Sequence, residues 1–139
     1  MEQNRWVQGW HLNAFGTLFG GAMLSWVDED TNMLAYNSSP QPDTHYTTAG
    51  YDKVSFLLPC KAGDRLKFIY DIIHYGSKSI TIRCVVTNQY DWKVFSCLTT
   101  MVRTRGIGLK EEVKNNVEKL ALWDMVENMK KLRKKEPTL

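Results

Sequence analysis

Cysteine is scarce and shows no pairing pattern. Cys60, Cys84 and Cys97 form an odd set without Cys-x-x-Cys spacing, which argues against a disulfide framework and leaves small buried residues in a reducing compartment. No apolar run approaches the roughly 20 residues of a membrane span, and the opening MEQNRWVQGWHLN has no signal-peptide core. A cytoplasmic protein without a membrane span is expected. No Gly-rich loop runs into Lys-Ser or Lys-Thr, and no His, Cys or Asp set has metal-ligand spacing, so neither a metal nor another cofactor is expected. The formal charge of +3 gathers its excess in Lys130, Lys131, Arg133, Lys134 and Lys135. A solvated helix end accounts for that cluster, so no nucleic-acid partner is expected.

What is present fits one soluble domain. The 139 residues are 43% hydrophobic and 24% charged, close to the globular average and enough to close a core. From 18 to 36 the chain is free of proline and poor in β-branched residues, and it reads as a helix. A loop dense in turn residues follows over 37–43. Residues 45–58, 65–75, 78–89 and 92–104 are rich in Val, Ile, Thr, Tyr and Phe and bounded by turn residues, as strands are. Their short connections predict antiparallel neighbours in a meander covering the helix. Beyond Gly106 and Gly108, Val113, Val117, Ala121, Met125 and Met129 recur every fourth residue, predicting a second, amphipathic helix. The expected organisation is a domain over 1–108 and a helical extension over 109–139.

The segment HLNAFGTLFGGAMLSWVDED carries the chemistry. Asn13, Gly16, Gly20, Gly21 and Asp28 stand in the spacing Asn-x-x-Gly-x-x-x-Gly-Gly-x-x-x-x-x-x-Asp. Glycines at a helix start allow close approach, and the first helical N–H groups are free to meet a developing oxyanion. Asp28 lies about two turns after Gly21, with Ser25 between them, so the three share one polar edge of an otherwise apolar helix. A helix apolar nearly all round is a buried one, and a partly desolvated carboxylate suits a general base. Paired glycines can also be a plain turn, and Asp28, Glu29 and Asp30 can be three solvated acids. The residues alone leave both readings open.

These motifs resemble the hot-dog-fold acyl-CoA thioesterases, particularly the broad-range acyl-CoA hydrolase branch, where a Phe precedes the Gly pair as Phe19 does here. The likeness continues through VSFLLPCKAGD (54–64) and YGSKSITI (75–82), covering about 8–104. It implies an α+β hot-dog fold, an antiparallel five-stranded sheet wrapped around the 18–36 helix, with a first strand near 4–10. It also implies hydrolysis of acyl-coenzyme A to a carboxylic acid and coenzyme A, the latter being part of the substrate. A homodimer would be the minimal unit, built up to a hexamer of three dimers or to a tetramer. Asp28 would be general base or nucleophile, Asn13 of the other subunit would orient water, and the Gly20 N–H would bind the thioester oxygen. Gly21, Gly76, Ser77, Lys78 and Ser79 would line the coenzyme A groove. Lys78 departs from the small hydroxyl residue common there, and His11-Leu12 from the usual Asp-Thr.

Three rivals are weighed against this. A hot-dog hydratase needs a His five residues after the Asp, where Met33 stands, and His11, His45 and His74 read as surface or strand-edge residues. A non-catalytic acyl-CoA binder would have little reason to keep Asn13, Gly20 and Asp28 together. A Cys60 nucleophile has no adjacent base in sequence.

Overall fold

The computed structural model describes residues 1–38 and 45–104. Five strands, β1 (Glu2–Trp6), β2 (Tyr46–Phe56), β3 (Arg65–Tyr75), β4 (Ser79–Thr87) and β5 (Lys93–Arg103), and one long helix, α1 (Gly20–Ser38), make up its regular structure with a short 3-10 turn at Gly9–His11. The helix and the four strands expected from residue composition and turn boundaries are thus present, with α1 starting two residues later than the apolar run, and the first strand lies at Glu2–Trp6 rather than near 4–10. The expected helix beyond Gly108 and its basic end lie outside the described residues.

All strand pairs are antiparallel, in the order β1-β3-β4-β5-β2. This corrects the meander in one place: β2 pairs with β5, not with β3. Three strand spacings, roughly 14 Å, separate β2 from β3, and a link the length of 57–64 can extend over about 25 Å. A short connection therefore fixes the opposite sense of the two strands but not their adjacency. The link crosses the end of the sheet, held where Leu57 N–H donates to Val94 O (2.9 Å) and Leu18 N–H donates to Cys60 O (2.8 Å). Gly63 N–H and Val7 O close the far side at 2.9 Å.

The inner sheet face carries Phe68, Tyr70, Ile80, Ile82, Cys84, Val86, Phe95, Cys97 and Met101, all buried. Against it α1 lays Met23, Val27, Asp30, Thr31 and Ala35, a stripe at helical spacing whose burial drives the packing. Trp26 extends this core, its ring edge-on to Phe68 at 5.9 Å and to His11 at 4.8 Å. His11 is accordingly a packed residue rather than a surface one, its Nδ1 accepting the Gln8 N–H at 2.9 Å. The apolar sequence of α1 led to the expectation of burial all round. Only one stripe is buried within the chain, and Met33 and Tyr36 are exposed. Cys60, Cys84 and Cys97 are free and buried, as expected of core residues.

Candidate active site

The helix crosses the sheet, so its two flanks meet different strands. On one flank Asp28 faces β2. Its Oδ1 accepts the Thr48 hydroxyl at 2.6 Å and the Tyr51 hydroxyl at 2.8 Å. Thr48 and Tyr51 are three residues apart and would lie on opposite faces of a regular strand. A register shift between Thr48 and Gly50 turns both inward, the re-aiming that a β-bulge performs. Burial first, and then the hydrogen bond to Asp28, hold the Tyr51 phenol above its ordinary value, so it stays a neutral donor.

On the other flank Asp30 is fully buried and faces β1 and β3. Arg5 grips it with Nη1 to Oδ2 at 2.6 Å and Nη2 to Oδ1 at 2.8 Å, and the Tyr70 hydroxyl donates to Oδ2. Arg5 also lies over the rings of Trp26 and Phe68, at 5.7 and 5.1 Å. Desolvation opposes the Arg5 cation, but the paired carboxylate outweighs it and its pKa is raised. Glu29, the acid between Asp28 and Asp30, is solvated as three such acids in a row can be, with a side chain 71% exposed. Its carboxylate lies in solvent on the Arg5 side, Oε2 being 4.0 Å from Arg5 Nη2.

Gly20 and Gly21 open α1. Among the described residues their N–H groups have no acceptor, the first helical hydrogen bonds to Phe19 O coming from Ala22 and Met23. A Cβ at Gly20 would meet the Phe56 ring at 3.4 Å, ordinary contact, and one at Gly21 would push only on the swinging edge of Phe19. Neighbouring atoms of the chain thus give little reason for glycine at position 20, which suits a place kept open for a ligand, whereas a side chain at position 21 would require the Phe19 ring to move aside. An apolar groove of about 290 Å³, lined by Leu18, Met23, Phe56, Leu57, Leu58 and Val94, opens beside them.

Asn13 is engaged in its own loop. Its Oδ1 accepts the N–H groups of Phe15 (2.9 Å) and Thr17 (3.2 Å), its Nδ2 donates to Thr17 Oγ1 at 3.0 Å, and Gly16 turns the chain at φ +79°. Gly76 to Ser79 form the β3–β4 turn, closed by Gly76 N–H to Ser79 O at 2.8 Å, with Ser77 and Lys78 exposed. Any side chain at Gly76 would collide with Ser79 Oγ.

These residues do not converge within one chain. Gly20 and Asp28 are eight residues apart on α1, about 12 Å along its axis, whereas one thioester carbonyl must hydrogen-bond the oxyanion donor while a single water, within about 3 Å of the base, attacks its carbon. The Gly76–Ser79 turn lies at the opposite end of α1, where Tyr75 approaches Ser38. A cysteine mechanism is disfavoured, because burial pushes the Cys60 thiol up to about 11 and its only hydrogen-bond contact among the described residues is Leu58 O.

The profile of the thioesterase superfamily matches residues 15–92, more than half of the chain and all of α1, Thr48 and Tyr51. The chain belongs to the thioesterase superfamily. Solved structures agree on the hot-dog fold of this superfamily. The hexameric thioesterase y2039 of Yersinia pestis is 24% identical with a TM-score of 0.70, over 77% of this chain and 92% of that one. The hexameric hotdog-fold thioesterase Cj0915 of Campylobacter jejuni is 24% identical with a TM-score of 0.67, over 78% and 90%. The protein smu.793 of Streptococcus mutans, solved bound to acetyl CoA, is 22% identical with a TM-score of 0.68, over 74% and 79%. No curated protein matches the sequence closely enough to count as a relative. Of the two acids that α1 turns inward in this thioesterase superfamily chain, Asp28 is the one whose carboxylate keeps an oxygen, Oδ2, without a hydrogen bond to any described residue.

Proposed function

We propose that the protein hydrolyses acyl-coenzyme A thioesters, with Asp28 as the general base. The observation that carries this reading is the half-buried Asp28 carboxylate, anchored through Oδ1 alone in a chain of the thioesterase superfamily. Asp28 Oδ2 would take a proton from water as its oxygen attacks the thioester carbonyl. The Gly20 N–H, at the positive end of α1, would receive the oxyanion. Collapse would break the carbon–sulfur bond and return the proton to the departing thiolate.

The 12 Å offset between Gly20 and Asp28 supports a site shared by two chains, the Asp28 of one meeting the Gly20 and Asn13 of the other. The exposed Met33 and Tyr36 of α1, and the open β2 edge with exposed Val54 and Phe56, offer apolar surface for that contact. The two hexameric relatives make an assembly of three such dimers a natural form. The groove beside Gly20 would take an apolar part of the substrate, and Gly21 with Gly76, Ser77, Lys78 and Ser79 of the β3–β4 turn would face coenzyme A.

Free-thiol release from acyl-coenzyme A of increasing chain length, measured for wild type and Asp28→Asn, tests the reading. The variant should assemble normally and lose at least about two orders of magnitude in turnover. Turnover close to wild type would remove Asp28 from the mechanism. Mixing Asn13→Ala and Asp28→Ala proteins should restore partial activity. Background activity after demonstrated subunit exchange would rule out the shared site.

A further inference from the structure

The β2 strand departs from regular pairing twice, and the first departure has a chemical result. Without the shift between Thr48 and Gly50, one of the two hydroxyls would face solvent and Asp28 would keep a single donor. A carboxylate held by one donor pivots about its Cβ–Cγ bond and exchanges its two oxygens. Held by two donors converging on Oδ1, at 2.6 and 2.8 Å, it keeps the same oxygen free. We propose that Tyr51 is a positioning residue of the thioesterase reaction, fixing the Asp28 carboxylate so that Oδ2 alone is presented to the attacking water. The proposal rests on the reading of Asp28 as the base.

Two observations single out Tyr51. First, its hydroxyl reaches Asp28 across a sequence separation of 23 residues and has no other hydrogen-bond partner among the described residues. Thr48, by contrast, also contacts Met101 Sδ at 3.4 Å. Phenylalanine would fill the same space against the helix, so packing does not require the oxygen. Second, the other tyrosine–aspartate pair of the inner face, Tyr70 with Asp30, belongs to a carboxylate with both oxygens occupied by Arg5. At Asp28 the donors converge on one oxygen and spare the other, an arrangement that serves proton transfer rather than neutralisation.

The experiment is steady-state hydrolysis of a saturated acyl-coenzyme A by the full chain, comparing wild type, Tyr51→Phe, Asp28→Asn and the double variant, with melting temperatures alongside. Tyr51→Phe should lower kcat about tenfold, the worth of one hydrogen bond to a charged group, and leave KM within about twofold. In the Asp28→Asn background it should cost nothing further. An unchanged kcat, a rise in KM alone, or an equal loss in the Asp28→Asn background would each overturn the positioning role. Should Tyr51→Phe fail to fold, Tyr51→His and Tyr51→Leu replace it. The histidine ring N–H can still donate, so His should retain more of kcat than Leu, and equal loss again overturns the proposal. Wild-type turnover by Asp28→Asn would instead sink the reading of the base itself, while an inactive Asp28→Asn beside a fully active Tyr51→Phe sinks only the role of Tyr51.

Discussion

Asp28 and Asp30 stand two residues apart on α1, about 200° around its axis, and meet opposite ends of the sheet. Asp30 is fully buried and has its carboxylate filled by Arg5 and Tyr70, holding the helix to β1 and β3. Asp28 is half-buried, met on one oxygen only by Thr48 and Tyr51 of the edge strand β2. The same side chain is a structural tie where every acceptor is satisfied and a chemical group where one is left over. Partner chemistry makes the difference: a guanidinium offers a fork that matches both oxygens, whereas two hydroxyls can crowd onto one.

The sharpest way to break this comparison is to neutralise each acid in turn. Asp28→Asn should abolish turnover while shifting the melting temperature by no more than about 2 °C, since two hydroxyls can still meet an amide oxygen. Asp30→Asn should do the reverse. It leaves the Arg5 cation, only 20% exposed, beside a neutral amide. Allowing for that residual solvent contact, the loss should be about 2–3 kcal/mol, seen as a melting point lower by roughly 5–10 °C. Residual folded Asp30→Asn should keep a kcat within a few-fold of wild type. Equal losses of stability in both variants would mean that Asp28 is a structural tie as well.

A smaller contrast lies in alkali. Burial raises the phenols of both Tyr70 and Tyr51, and Tyr70 is the deeper of the two. A raised folded-state pKa favours the neutral phenol in the native state. Its stabilisation is complete below the unfolded value near 10 and is lost as the pH rises past it. Cys60, pushed up to about 11, and Tyr75, up to about 12, add alkaline losses of the same sign and are common to all variants. Between about pH 8 and 11 the melting temperature should fall. Tyr70→Phe should flatten that fall more than Tyr51→Phe does. The opposite ranking would place the deeper burial on the Asp28 flank.

The Asp28 side of this comparison was more legible in the sequence than the Asp30 side. The Gly20-Gly21 and Asp28 spacing on an apolar helix marked the carboxylate, and runs rich in Val, Ile, Thr, Tyr and Phe between turn residues marked β2 to β5. The strand β1, EQNRW, was not legible, because its inward residues are Gln3 and Arg5 rather than apolar ones. An inward arginine makes sense only once Asp30 is known to lie opposite, a contact 25 residues away. The pairing of β2 with β5 was hidden for a related reason, since link length constrains strand sense more than neighbour choice. Thr48 and Tyr51 escaped notice because strict alternation puts them on opposite faces; Gly50 next to the shift was the single local hint of a bulge.

Between the two aspartates, Glu29 supplies the control with the smallest expected effect. Its side chain is 71% exposed and its nearest cation, Arg5 Nη2, is 4.0 Å away and already committed to Asp30. An exposed pair of that kind is screened by water and salt, and holding a long side chain in one geometry costs entropy that offsets the attraction. Glu29→Gln should therefore change stability by no more than about 0.5 kcal/mol. Any loss should shrink further between low and roughly 0.5 M salt, because screening already hides the charge there. Turnover should match wild type, since a residue 100° around the helix from Asp28 cannot face the same strand. A kcat loss comparable to that of Asp28→Asn would shift the base to Glu29. That result would also make the contacts of Asp28 with Thr48 and Tyr51 a tie like that of Asp30.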